Sequence, residues 1–339
     1  MNIYTERLIK MIYFYNIDST DPYYNLAFEE YILKNYSENS YFLLWQNDNT
    51  IVVGLHQNTI EEINREFVDK NKINVIRRTT GGGAVYHDLG NLNYSFITDY
   101  NEKEHVSMNF FINPIIESLK NMGIKAISSE RNDILIDNKK VSGSAQRLYK
   151  NRILHHGCIL FNSDLSILSQ SLKVKPEKFQ SKSVKSVRNR VANISDFLSS
   201  NKNIYDFKNY ILDSISKNNE IANLNLTKKD IKKIKEISEN KYKTWEWNYG
   251  RSPKFNITNA KKFDGGIVEV YLLIENGFIN SCSIYGDFMS LKPISDITNK
   301  LVNCRYELDY IKNILTQFNI KEYFGDIALE NIVNLISGL

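Results

Sequence analysis

The chain has 339 residues, 42% of them hydrophobic and 24% charged, with a formal net charge of +4. That length holds a large core and suggests two domains, and the composition is that of an ordinary globular protein. The mild charge argues against a dedicated nucleic-acid binder, which carries a far denser basic face, and the N-terminus lacks an apolar stretch long enough for a signal peptide or membrane span.

The three cysteines, Cys158, Cys282 and Cys304, are far apart, odd in number and without CxxC spacing. They read as reduced thiols of a cytoplasmic protein rather than a disulfide framework or zinc site. Met1 to Lys10 is polar, and Met11 opens the first strand pattern, so both methionines stand as starts.

In chain order, Ile12 to Ile17 reads as a strand, and Asp21-Pro22 as a helix start with proline in the first turn. Tyr24, Ala27, Phe28, Tyr31 and Ile32 then recur at helical spacing as one apolar face. Tyr41 to Trp45 and Ile51 to Val53 are expected to pair across Asn47-Asp48-Asn49. Thr59 with Glu62 predicts a capping box opening a helix that runs to about Asn71. Val75-Ile76 and Ala84 to Tyr86 bracket three glycines, Gly81 to Gly83, as strand, glycine turn, strand. A helix is predicted over Ser107 to Met122 with a kink at Pro114. Ile134 to Val141 reads as a hairpin with Lys139 and Lys140 near its tip, and His156 to Phe161 as another strand. Helices follow at Tyr205 to Lys217 and Thr227 to Lys241. Trp245 to Pro253 punctuates the chain. Beyond it, Gly265 to Ile279 alternates around an Asn-Gly turn as a hairpin, followed by two or three amphipathic helices. The mixture predicts an α+β fold with antiparallel sheet.

The chemistry concentrates in Arg77-Arg78-Thr-Thr-Gly-Gly-Gly-Ala-Val-Tyr-His87-Asp88. Bare backbone beside positive charge suits an anion, because N–H groups without a Cβ in the way can converge on it. Gly-Lys-Ser/Thr is missing, so this is not a Walker loop. Arg131-Asn132-Asp133, Lys140-Val-Ser-Gly-Ser-Ala, His155-His156-Gly157 and Lys178 to Val191 follow. Together these ordered blocks resemble the lipoate–protein ligase A family, with Ser183 standing where that family commonly has glycine.

The resemblance implies a biotinyl/lipoyl-ligase-like catalytic domain with a mostly antiparallel sheet over residues 1–248, and a small α+β accessory domain over 249–339. It implies ATP-dependent activation of lipoate to lipoyl-AMP, then transfer to a lysine of apo-lipoyl domains in 2-oxoacid dehydrogenases or the glycine cleavage H protein. ATP with Mg²⁺ and lipoate would be the small substrates. Arg78, Gly83, Ala84, Val85, Tyr86, Asn132, Asp133 and Lys140 are expected at ATP, and Gly81, Gly82, His156 and Lys140 at lipoate. Lys140, rather than Lys139, is the expected catalytic residue. Asp133 is a candidate Mg²⁺ contact as well as an ordinary turn residue, and Asn91 a candidate phosphate contact. Adjacent histidines on a strand point to opposite faces and suit one metal poorly. The basic run Lys182, Lys185, Arg188 and Arg190 is either a solvated face or a dock for an acidic lipoyl domain.

The same fold also carries acyl transfer through a cysteine thioester. Its cysteine would stand near Ser128 to Arg131, where this chain has none, and Cys158 reads as a small buried residue. A lipoyl/octanoyl amidotransferase is therefore the alternative. The expectation is a cytoplasmic monomer that binds no nucleic acid and no membrane, with a hinge near Asn248 to Pro253.

Overall fold

A computed structural model describes residues 11–100, 108–129, 133–172, 191–198, 202–217, 219–249, 256–275 and 277–338. Asn132 and the run Lys182 to Arg190 lie outside the described residues, as do most of the predicted hinge and the start of the Ser107 helix.

The first strand, β1 (Met11–Asn16), leads to helix α1 (Pro22–Asn35). The Asp21 carboxylate accepts from the Tyr23 and Tyr24 amides there, a cap worth about 1 kcal/mol. The helix is buried nearly all round rather than along one stripe, because Glu29 and Glu30 are as enclosed as Ala27 and Ile32. Strands β2 (Ser40–Trp45), β6 (Asn91–Asp99), β7 (Ile127–Ser128), β8 (Ile134–Ile136), β9 (Lys139–Tyr149), β10 (Arg152–Leu160) and β11 (Glu220–Asn223) join β1 in an eight-stranded sheet. Its order is β11-β1-β2-β6-β10-β9-β8-β7, with parallel pairing only where β1 meets β2 and β11. One face carries the core built with α1, including Phe28, Leu43 and Leu154. The opposite face packs Phe42, Tyr94 and Ile159 against helices Asn109–Asn121 and Ile204–Ser216.

Two local predictions meet a different arrangement. Strand β3 (Thr50–Val53) leaves β2 and forms a second sheet with β4 (Asn74–Arg77) and β5 (Val85–His87). There β3 sits in the middle, parallel to β4 and antiparallel to β5. The glycine segment is thus a crossover around β3 and not the turn of a hairpin. All four residues of β3 are buried, and a strand enclosed on both sides takes two neighbours rather than the nearest one in sequence. The helix predicted from Thr59 to Asn71 is two short helices, Thr59–Glu62 and Arg65–Lys70. Thr59 does not cap the first. Its hydroxyl donates to the Asn248 carbonyl, 2.6 Å away, so a long-range partner wins over the local box.

The hairpin of β8 and β9 forms as expected, turning at Asp137 and Asn138 with φ of 48° and 61°. Two consecutive positive φ values are the signature of the hairpin turn that favours Asp and Asn.

The C-terminal part has its own three-stranded sheet, β12 (Ile257–Phe263), β13 (Gly266–Glu275) and β14 (Phe278–Gly286). Four helices cover it, Ser295–Leu301, Leu308–Leu315, Ile320–Phe324 and Leu329–Ser337, around a core that includes Val270, Phe324 and Ile332. Strand β12 was not anticipated because it is an edge, largely exposed, with Lys261-Lys262 where alternation would show. After β14 the chain returns to the first part of the molecule. Gly286 N–H donates to the His56 carbonyl (2.6 Å), and Gly82 N–H to the Phe288 carbonyl (3.1 Å).

Candidate active site

Strand pairing decides which side chains meet. Cys158 stands opposite Gly143 on one side and Asn93 on the other, and His156 opposite Ala145 and Ser95. Paired residues share a face, so Asn91, Asn93, Ser95, His156, Cys158 and Gly143 line one surface beneath the glycine segment. His155 and Gly157 point the other way. The His155 ring stacks on Phe111 at 4.8 Å and 14°, and burial drives its pKa well below the ordinary value.

Lys140 reaches the site through a bulge. Ile134 faces Ser142 while Leu135 faces Lys140, so Val141 is an extra residue. Val141 is fully buried with Ile134 and Ile136 in the core. Strict alternation would turn Lys140 toward that same core; the extra residue re-aims it, as bulges do. Its ammonium lies where a side chain at Gly143 would begin, since an added Cβ there would be 2.9 Å from Nζ. Nζ also meets Asp133 Oδ1 at 2.8 Å. Lys139 is exposed at the hairpin end, and Lys140 is half-buried.

The two arginines are not solvated. Arg77 is buried and donates to the carbonyls of Gly54, Leu55, Gln57 and Trp247, which ties β4 to the neighbouring loop. Arg78 is equally buried and folds the glycine segment around its guanidinium. Nη2 donates to the Gly81 and Gly83 carbonyls at 2.5 and 2.9 Å, and Nη1 to the Val52 carbonyl at 3.2 Å. Burial lowers its pKa to about 10, with the charge of Glu29 among the groups acting against that; it stays cationic at neutral pH. Gly82 takes φ of +88°, open to glycine at no steric cost. The facing Gly54 has no room for a Cβ, which would meet the Gly82 carbonyl.

Other predicted residues divide. Gly83, Ala84 and Val85 are partly exposed along the segment. The Tyr86 ring turns away into the core of the small sheet, its hydroxyl donating to Asn49 Oδ1 at 3.1 Å, and its backbone is part of β5 beside Ile51. Gly81 and Gly82 lie against Phe288 to Ser290 of the C-terminal part. Asn91 is buried, its amide donating to Asn93 Oδ1 at 3.0 Å. Among the described residues, Asn91 Oδ1 and Asn93 Nδ2 have no hydrogen-bond partner. Unpaired buried polar atoms on a site face mark where a polar ligand or water is received. Cys158 is partly exposed on this face rather than packed away, and burial still raises its thiol pKa.

Sequence reasoning missed Glu29. Its carboxylate receives His156 Nδ1 at 2.9 and 3.0 Å and the Ser95 hydroxyl at 2.6 Å. His156 Nε2 meets Thr80 Oγ1 at 2.8 Å, so both ring nitrogens are engaged. The signal was present: an acid pair inside the apolar run Leu26 to Leu33 needs buried partners.

Among the described residues no group of three or more His, Cys, Asp or Glu side chains could hold a metal ion, and no helix is long and apolar enough to cross a membrane.

Known proteins share this architecture. Residues 21–216 match the family model of the lipoyl protein ligase A/B catalytic domain, and residues 252–336 that of the bacterial lipoate protein ligase C-terminus. Lipoate–protein ligase 1 of Staphylococcus aureus is 43% identical over 323 residues, covering 95% of this chain and 98% of its own. The crystal structure of P. falciparum LipL1 in complex with lipoate superposes with a TM-score of 0.80 at 25% identity, covering 97% of this chain and 98% of that one. A lipoate–protein ligase A bound with ATP gives 0.62 at 29% identity over 72% of this chain and 99% of that one. A glycine segment pegged by Arg78, a bulge-aimed Lys140 and these matches across both parts of the molecule make the chain a member of the lipoate–protein ligase family, whose enzymes are ATP-dependent ligases.

Proposed function

We propose that this protein condenses lipoate with Mg-ATP to lipoyl-AMP and passes the lipoyl group to a lysine of an apo-lipoyl domain, with Lys140 serving both steps. The observation that carries the assignment is the Lys140 ammonium, seated over Gly143 on the polar face and 2.8 Å from Asp133. A carboxylate is a poor electrophile. Its oxygen attacks the α-phosphorus of ATP, the bond to the β-phosphate oxygen breaks, and pyrophosphate leaves. The target amine then attacks the acyl carbon, AMP departs with the bonding pair, and the amine proton is lost. In both steps negative charge grows on oxygens near the acyl–phosphate junction, which a preorganised cation stabilises. The pegged glycine segment would receive the phosphates through Gly83 to Tyr86, and among the described residues the Asn93 amide nitrogen is a donor still without a partner. Mg²⁺ arrives with ATP as substrate. One carboxylate alongside phosphate oxygens is its usual protein share, and Asp133 is that carboxylate.

We assign catalysis to residues 1–248 and an accessory role to 249–339, supported by the separate core of the C-terminal sheet. The three free thiols support a cytoplasmic setting. Because Cys158 shares the site face, the thioester route makes its own prediction, loss of transfer in Cys158→Ser. The raised thiol pKa disfavours the thiolate such a route needs.

The test is lipoate-dependent pyrophosphate release from Mg-ATP, followed by lipoylation of an added apo-lipoyl domain. Wild type releases pyrophosphate and modifies the domain, while Lys140→Ala loses both by at least about 100-fold, the scale for removing one preorganised charge stabiliser. No release by wild type sinks the reading.

A further inference from the structure

We infer that Glu29 is a positioning residue for adenylation, acting through His156 and Thr80 on the Arg78 guanidinium that shapes the glycine segment. The inference rests on the ligase reading above. Glu29 lies on α1, outside the glycine segment and the lysine hairpin, and is 1% exposed. Trp45 Nε1 donates to Ser95 Oγ (3.0 Å), and the Ser95 hydroxyl donates to Glu29 Oε1 (2.6 Å). His156 Nδ1 stands 2.9 Å from the same carboxylate, Nε2 stands 2.8 Å from Thr80 Oγ1, and Arg78 Nε donates to that Oγ1 at 3.0 Å.

One arrangement of hydrogens joins these groups in a single chain. A carboxylate accepts, which assigns the His156 proton to Nδ1. Nε2 is then an acceptor and takes the Thr80 hydroxyl hydrogen. That leaves the Thr80 oxygen lone pairs for the Arg78 Nε–H. With Nε held, the remaining Arg78 donors point at the carbonyls of Val52, Gly81 and Gly83, which fixes the course of the glycine segment. Chains of this kind polarise one another in a low-dielectric interior and fail as a unit. Glu29 is also the carboxylate whose charge acts on buried Arg78.

Glu29→Gln keeps the size and removes the charge: its amide oxygen, in the place that accepts from Ser95 and His156 Nδ1, holds the Nδ1 proton by a neutral hydrogen bond alone. Thr80→Val breaks the same chain at its other end without adding or removing a charge.

The experiment measures lipoate-dependent ATP–pyrophosphate exchange in the full chain for wild type, Glu29→Gln, Thr80→Val and the double variant. It is accompanied by ¹⁵N chemical shifts of the His156 ring and by thermal midpoints. The expected result is a fall in kcat of about 10- to 100-fold in each single variant, the scale at which outer-shell partners act. The double variant is no worse than either single one, and the wild-type His156 ring carries its proton on Nδ1. Exchange at the wild-type rate in the single variants overturns the inference. So do additive losses, or a wild-type His156 ring protonated on Nε2. Should Glu29→Gln fail to fold, Thr80→Val decides alone: full activity overturns the relay and a kcat loss with an unchanged melting midpoint supports it. A wild type without lipoate-dependent exchange overturns the ligase reading and this inference with it, an outcome distinct from an active wild type with indifferent variants.

Discussion

The two faces of the large sheet around β9 and β10 hold neighbouring residues of the same type in opposite roles. His156 is clamped between Glu29 and Thr80 on the polar face, whereas His155 stacks on Phe111 in the opposite core. Gly143 leaves space for the Lys140 ammonium, and Gly157 leaves space for the Tyr94 ring. One face is built for charge and the other for packing. The same residue type therefore predicts different consequences depending only on which side of the strand it occupies.

Replacing each glycine in turn is the strongest way to break that comparison. In Gly143→Ala the new Cβ would lie 2.9 Å from Lys140 Nζ, the far end of a flexible chain, so the protein folds and the lysine moves. Pyrophosphate release should fall about 100-fold, the scale of a small misplacement at a reacting centre, with the melting midpoint near that of wild type. In Gly157→Ala the Cβ would meet Tyr94 Oη at 2.5 Å inside a fully buried core. That variant should lose about 1–3 kcal/mol of stability in denaturant unfolding, while the folded fraction keeps its turnover. Equal stability losses in the two variants would refute the division between faces.

Acid sharpens the contrast further. Burial lowers the pKa of His56 and of His87 to about 3, each aided by nearby arginine, and that of His155 well below its usual value. Their unfolded pKa is about 6.5, so between these limits the unfolded chain binds more protons than the folded one. Stability from these groups is therefore complete above about pH 6.5 and falls as pH drops toward 3, by about 1.4 kcal/mol per pH unit for each histidine. Equilibrium unfolding from pH 7 to 4 checks the slope. His155→Phe should reduce that slope by one proton, and its small cost at neutral pH, about 1 kcal/mol for the Gln146 contact it removes, should leave activity unchanged.

Short-range signals were legible in the sequence. The helix start at Asp21, the hairpin over Ile134 to Val141, the helix opening at Thr227 and the β13–β14 hairpin each depend on residues a few positions apart. Lys140 and Gly143 show the same locality, because the glycine three residues on leaves the space that the lysine ammonium fills. What could not be read were partners. The β2–β3 pairing failed because nothing local says that Ile51 belongs between Val75 and Tyr86. Arg78 looked like a phosphate ligand, and whether its donors face carbonyls or solvent depends on how the segment wraps around it.

The sequence by itself determined the family, the α+β class and the residue types that the chemistry requires, because these rest on ordered motifs and on the alternation of strands and helices. Only the tertiary structure decided where those residues point. A single bulge at Val141 sends Lys140 to the polar face, and Glu29 finds His156 across 127 residues of chain. Long-range contacts of that kind are selected by burial, since a charged group inside a core must find its partner wherever the fold brings one.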